Sequence, residues 1–168
     1  MSNPKKFVSV AGRRLVNECA ERLQFDMDHL RRSRLAISAA LLALMFAGFA
    51  VVQINDTNPV VYHRPSVLDA WSWVFFYGFI AALCAVSIFR RIPGVLLTVA
   101  AVFSLVEMAR TAPGLYENLF VADTFTITAT SMAAARPEVE LTREFFGALI
   151  ALLGVEYLRW QQKPADAP

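Results

Sequence analysis

Leu35–Ile54 is a run of twenty residues without a single charge. About 20 apolar residues in a helix cross the hydrocarbon core of a bilayer. Lipid offers the backbone no partners, so a spanning segment must pair its own N–H and C=O groups, and a single segment does so only as a helix. The run closes on a polar string, Gln53-Ile54-Asn55-Asp56-Thr57-Asn58-Pro59, where the helix would leave the lipid. Three further apolar stretches follow, at about 67–89, 92–109 and 144–160. The expected fold is all-α: a four-helix transmembrane bundle preceded by an amphipathic N-terminal helix and followed by a short disordered tail, 161–168.

Composition agrees with this reading. Hydrophobic residues make up 57% of the chain and charged residues 18%, against about 25% charged in a soluble domain. The apolar excess sits in blocks rather than spread evenly. Some 34 residues precede the first block and no small-residue cleavage site follows it, so the block reads as a retained signal anchor. No basic block resembles a nucleic-acid footprint. Cys19 and Cys84 have no CxxC spacing and read as two unpaired thiols packed as small hydrophobes.

Residues 1–34 hold eight basic and four acidic side chains. Val8, Leu15, Val16, Cys19, Leu23, Met27 and Leu30 recur at spacings of three and four, which is one helix face. A basic amphipathic helix leading into a span is expected on the membrane surface. A soluble helix packed on its own protein or on a partner is the alternative.

Local signals divide the rest. Asn58-Pro59 marks a turn. Ser66 followed by Asp69 fits a capping box, which would give Asp69 a structural role. Tyr62, Trp71 and Trp73 suit an interfacial aromatic belt. Pro93-Gly94 allows a tight reversal, and Pro113-Gly114 is expected to end the third helix. Residues 115–143 form the longest connection, whose middle, 119–135, reads as interfacial, re-entrant or loop. Small residues at Ala39, Ala43 and Ala47, and at Gly147, Ala151 and Gly154, form two stripes for close helix approach.

Charge sets the expected orientation. With four spans, twelve basic residues share the side of the N-terminus, and Arg64, Arg110, Arg136 and Arg143 lie on the other. The positive-inside rule then places both termini in the cytoplasm, with the inner membrane of a bacterium as the expected location. Three polar clusters converge on the outer side: Gln53, Asn55 and Asp56; Glu107 and Arg110; Glu140, Arg143 and Glu144. Glu107 and Arg110 stand at i and i+3, where they can pair. Ionisable groups near lipid usually pair or line a cavity. A hydrogen-bond and ion-pair network tying helix ends together is expected, with a small polar-ligand or cation site as the alternative. Carboxylates and amide oxygens would suit a hard cation.

No catalytic chemistry is expected. His29 and His63 fall on opposite sides outside the spans, so a bis-histidine haem has no ligand pair. No H-E-x-x-H or G-x-S-x-G motif occurs, and no metal or cofactor is expected. The expected partners are the lipid bilayer and other membrane subunits or further copies of the chain, with no nucleic acid. The expected function is that of an accessory, assembly or scaffold subunit; a small transporter or ligand-binding membrane protein is the alternative.

Two of these stretches resemble a known family. Phe49-Ala50-Val51-Val52-Gln53-Ile54-Asn55-Asp56 followed by Pro59 resembles the signature that closes the first span of the transmembrane protein 220 family. Glu140-Leu141-Thr142-Arg143-Glu144-Phe145-Phe146-Gly147-Ala148-Leu149-Ile150 resembles the start of that family's last span. The chain departs from the pattern at Thr57-Asn58 and in the later position of Trp71. The resemblance implies a four-span layout over roughly residues 42–158 and brings no activity with it.

Overall fold

A 44-residue helix dominates the first third of the chain: α1, Val10–Gln53. Its apolar part, Ser33–Gln53, is long enough at about 1.5 Å per residue to cross a hydrocarbon core of about 30 Å. No proline or glycine occurs between Arg13 and Ala47, and sharp helix breaks need one of those, or an insertion into the ladder. The first span and the amphipathic segment are therefore one continuous helix.

The computed structural model describes residues 10–54, 56, 62, 66–121 and 136–163, without the side chains of 10–21, 24–26, 28, 31 and 32. Asn55, His63, most of the 55–66 connection, the middle of the 115–143 connection and most of the tail lie outside the described residues. So do most side chains of the amphipathic face expected before Leu35. The chain forms two compact units, Met1–Ile37 and Ser38–Pro168.

Among the described residues three more helices follow: α2 (Val67–Ser87), α3 (Gly94–Phe120) and α4 (Pro137–Gln161). The described residues contain no strand. Among the described residues, three segments are long and apolar enough to cross a membrane: Ser33–Gln53, Val67–Ser87 and Gly94–Phe120. The expected fourth, α4, is not among them. It carries Glu138, Glu140, Arg143, Glu144, Glu156 and Arg159, and charge near lipid is what hydropathy penalises most.

Two local expectations are corrected. Pro113-Gly114 does not end α3, which continues to Phe120. An interior proline removes one N–H bond and usually kinks or breaks a helix. Packing outweighs that loss here. The Gly114 backbone takes the Leu141 side chain so closely that any Cβ there would overlap it. One turn on, the 1%-exposed Asn118 donates to Thr142 Oγ1 at 3.0 Å. Ser66 does precede the first turn of α2, but its side chain makes no capping hydrogen bond. The Asp69 carboxylate turns to an arginine on α3 instead.

Side-chain contacts fix how the helices of the second unit run. Thr98 near the start of α3 meets Arg159 near the end of α4 at 3.1 Å, and Asn118 near the end of α3 meets Thr142 near the start of α4. α3 and α4 are therefore antiparallel and packed along most of their lengths. Small residues permit this, since Ala100, Ala148 and Ala151 are fully buried. The other two helices reach the pair through rings. Tyr77 of α2 sits over Gly147, and Phe46 of α1 lies over Gly154, where a Cβ would meet its ring at 3.0 Å. The stripe Gly147, Ala151 and Gly154 is thus the floor for aromatic side chains. The α1 stripe is only half used: Ala39 is 1% exposed, whereas Ala47 and Gly48 are exposed. In lipid this close contact contributes through dispersion rather than through hydrophobic driving force.

Candidate functional site

The ends of α2, α3 and α4 meet in a charge cluster centred on Arg110. Its Nε donates to Glu107 Oε2 at 2.7 Å, one turn back on α3, the expected i, i+3 pair. Its Nη1 lies 3.1 Å from Asp69 Oδ1 on α2, and its Nη2 lies 3.6 Å from Glu144 Oε2 on α4. The guanidinium also stands over the Trp73 ring, 5.4 Å from its centroid, a cation–π arrangement. Trp73 is therefore not a belt residue: it is 2% exposed, under the arginine, while Trp71 is 46% exposed.

The cluster has three carboxylates and one guanidinium. Two unit charges 4 Å apart interact by about 1 kcal/mol in water and about 4 kcal/mol at the dielectric of a protein surface. Without Arg110 the three carboxylates would repel one another at comparable strength. Glu144 is the most enclosed of them, with a side chain 14% exposed. Its Oε2 is buried and has no hydrogen-bond partner among the described residues.

Glu144 and Glu140 line two open clefts. One, of about 500 Å³, is bounded also by Asp69, Arg110, Glu117 and Leu141. The other, of about 370 Å³, is bounded also by Gln53, Asp56, Tyr62 and Arg143, with the Phe49 and Tyr77 rings beneath. The structure thus brings Gln53, Asp56, Glu140, Arg143 and Glu144 to one cleft, and Glu107, Arg110 and Glu144 to one ion-pair cluster. The half-buried Asp56 accepts a hydrogen bond from the Tyr62 hydroxyl. Burial pushes the Asp56 carboxyl above its ordinary value, and the bond from Tyr62 offsets part of that shift. The Tyr62 hydroxyl is pushed up in turn, first by burial and then by the neighbouring carboxylate.

Asp69, Trp73, Tyr62 and Tyr77 belong to these sites and were missed by reading the sequence for polar clusters. Asp69 was hidden by its fit to a capping box. The tryptophan and tyrosines were hidden because aromatic residues at span ends suit a lipid boundary equally well. A second polar layer at the opposite helix ends was also missed. There Ser38 and Tyr157 share a 2.7 Å hydrogen bond, Gln161 donates to Ser38 at 3.2 Å, and Arg159 pairs with Glu156 at 2.6 Å. Its signal was a band of Ser, Thr, Tyr and Gln around one i, i+3 charge pair.

The arrangement can hold helix ends together and can receive a small polar or cationic group in a cleft. Among the described residues no three His, Cys, Asp or Glu side chains are placed to hold a metal ion. These helices, with apolar segments of spanning length and polar layers at both ends, define a multi-pass helical membrane protein. The chain belongs to the family described as "Transmembrane family 220, helix", whose model matches residues 45–160. No curated protein and no solved structure matches it.

Proposed function

We propose that this chain is a four-span inner-membrane protein with both termini cytoplasmic, acting without catalysis of its own as an accessory, assembly or scaffold subunit. The observation that carries this reading is the Arg110 cluster, in which one guanidinium contacts carboxylates from three helices. Charged groups near lipid are expensive, and here they are spent on joining elements. Outside the cluster, α3 presents large apolar side chains such as Val95, Val102 and Leu105 outward, a surface for lipid or another membrane subunit.

α4 supports the fourth crossing. Its charges fall in its first two turns and its last two, and Phe145–Val155 carries none. Arg159 pairs with Thr98 and Glu144 with Arg110, so the uncharged middle of α4 shares the depth of α3.

Mild-detergent purification tests the scaffold reading. A stoichiometric partner should accompany the parent chain, and Arg110→Met should lower accumulation of folded protein. Recovery as an isolated species, with no crosslinked neighbour in native membranes, would count against it.

A second reading, a membrane protein that binds a small organic cation in the clefts, is favoured by one observation: the buried Glu144 Oε2 without a hydrogen-bond partner. Thermal melting of the purified protein with guanidinium or a short diamine decides it. A dose-dependent rise in the parent that Glu144→Gln abolishes supports binding. Equal response in both proteins sinks it.

A further inference from the structure

A third cleft opens between α2 and α3, apart from the two that Glu144 lines. It measures about 350 Å³ and is bounded by Ser72, Phe75, Phe76 and Phe79 of α2 and by Phe103 and Glu107 of α3. Positions 72, 75, 76 and 79 recur at i, i+3, i+4 and i+7, one face of a helix. Phe103 and Glu107 stand at i and i+4, again on one face. Phe76 and Phe79 are half-buried rings packed on the core, while Phe75 and Phe103 are 71% and 54% exposed.

The cleft is graded from polar to apolar, and both helices grade it the same way. Asp69 near the start of α2 pairs with Arg110 late on α3, and a short connection joins their other ends, so the two run antiparallel. Ser72 and Glu107 therefore share the charged end. Away from it, α2 supplies three phenyl rings over about 10 Å, and α3 supplies Phe103. The polar end offers acceptors. Ser72 Oγ donates its proton to the Asp69 carbonyl at 2.7 Å, which leaves its lone pairs. Glu107 binds Arg110 through Oε2, and among the described residues no hydrogen bond reaches its Oε1. The cluster around Arg110 also sets three carboxylates against one guanidinium, so a further cation would lower its charge.

An occupant that fits is apolar along two helical turns and cationic at one end. A partner helix is too thick: it is about 10–12 Å across, and one turn of it takes up about 400 Å³, more than the whole cleft. A single hydrocarbon chain is thin enough. α2 and α3 are each long and apolar enough to cross a membrane, so exposed rings on them meet lipid first.

We propose that this cleft holds one phospholipid with an ammonium headgroup. The ammonium sits on Glu107 and Ser72, and one acyl chain lies along Phe75, Phe76, Phe79 and Phe103. An anionic headgroup would meet the Glu107 carboxylate with like charge. The inference stands apart from both readings of function, since a scaffold and a ligand-binding protein can each hold such a lipid.

Native mass spectrometry of the full chain in mild detergent tests it, with phosphatidylethanolamine and phosphatidylglycerol of identical acyl chains added in equal amounts. The parent should retain one ethanolamine lipid about tenfold over the glycerol lipid, the effect of one charge contact near a protein surface. Glu107→Gln should bring that ratio close to one. Glu107 also bonds Arg110, so a second variant leaves the charge cluster intact. Phe103→Ala should lower retention of the ethanolamine lipid several-fold, whereas Val102→Ala, its neighbour and equally exposed at 53%, should not. Equal retention of the two lipids by the parent overturns the proposal. So does a preference that survives Glu107→Gln, or an equal loss in the two alanine variants. Free ethanolamine should leave the lipid in place; displacement by it would mean a site for a water-soluble amine and would overturn the lipid assignment.

Discussion

Gly147 and Gly48 make opposite statements about the same residue type. A Cβ on Gly147 would overlap the Tyr77 hydroxyl, whereas one on Gly48 would meet nothing within 4 Å. Tyr77 has nowhere to retreat, being 3% exposed and stacked on Trp73 at 5.4 Å and on Phe46 at 6.3 Å. Gly147→Ala should therefore destabilise by about 1–3 kcal/mol, as overpacked cores do. Gly48→Ala should be neutral or stabilise by about 0.5–1 kcal/mol through helix propensity. Denaturation in mixed micelles measures both, and Tyr77→Phe should rescue the first. If the two alanines behave alike, the ring-on-glycine contact is not what holds α2 to α4. Asp56 allows a test by pH. Its folded pKa is raised by burial above the ordinary 3.8, so its contribution to stability is fully present below that value. The contribution declines as pH rises through the folded pKa. Asp56→Asn, which cannot ionise, should gain on the parent as pH rises above the ordinary 3.8 of a carboxyl. A difference in melting temperature that stays flat from below this value to neutral pH would remove Asp56 from the account.

At the scale of elements, the sequence read correctly where one force dominates and misread where two compete. Hydropathy alone sets the second half of α1 and the middles of α2 and α3, and those were legible from runs such as Leu35–Ile54. Pro113-Gly114 carries a local stop signal, but the contact with Leu141 on α4 decides the outcome, and no local window contains that residue. Asp69 likewise suits a cap by spacing and an ion pair by position; the arginine that wins is forty-one residues away. The Glu107–Arg110 pair was legible because both partners sit one turn apart on one helix. The α3–α4 seam gives a test at this scale. Thr142 Oγ1 accepts from Asn118 Nδ2 and donates to the Glu138 carbonyl at 2.6 Å, with the Thr142 and Asn118 side chains buried. Thr142→Val keeps the shape and removes one acceptor from a buried amide, which should destabilise by about 1–3 kcal/mol. Adding Asn118→Leu should recover part of that, since removing both partners of a buried pair is milder than removing one. Strict additivity in the double variant would mean that the two side chains do not act through each other.

The whole molecule turns on whether α4 crosses. Its uncharged centre, Phe145–Val155, is too short alone to match a hydrocarbon core: eleven residues rise about 16 Å against about 30 Å. What extends it is pairing. Glu144 at one end faces Arg110, and Glu156 at the other pairs with Arg159, so these two flanking carboxylates enter the interface beside a guanidinium rather than as bare ions. Its inner face is filled as closely as that of any other helix, with Ala148, Ala151, Val155 and Leu158 fully buried. In the proposed four-span arrangement, antiparallel contact with α3 carries α4 back across whatever α3 has crossed. That arrangement leaves both termini on one side, and the positive-inside rule predicts the cytoplasm for it from the excess of basic residues. Reporter fusions measure this directly. Tags before Met1 and after Lys163 should both report the cytoplasm, and a reporter within residues 122–135 should report the opposite face. A C-terminal tag on the far side from the N-terminal one would leave three crossings. Arg159 and Lys163 would then join the four arginines on the outer side, against the charge rule. α4 would have to lie against α3 without spanning, with Phe145–Val155 buried by packing alone.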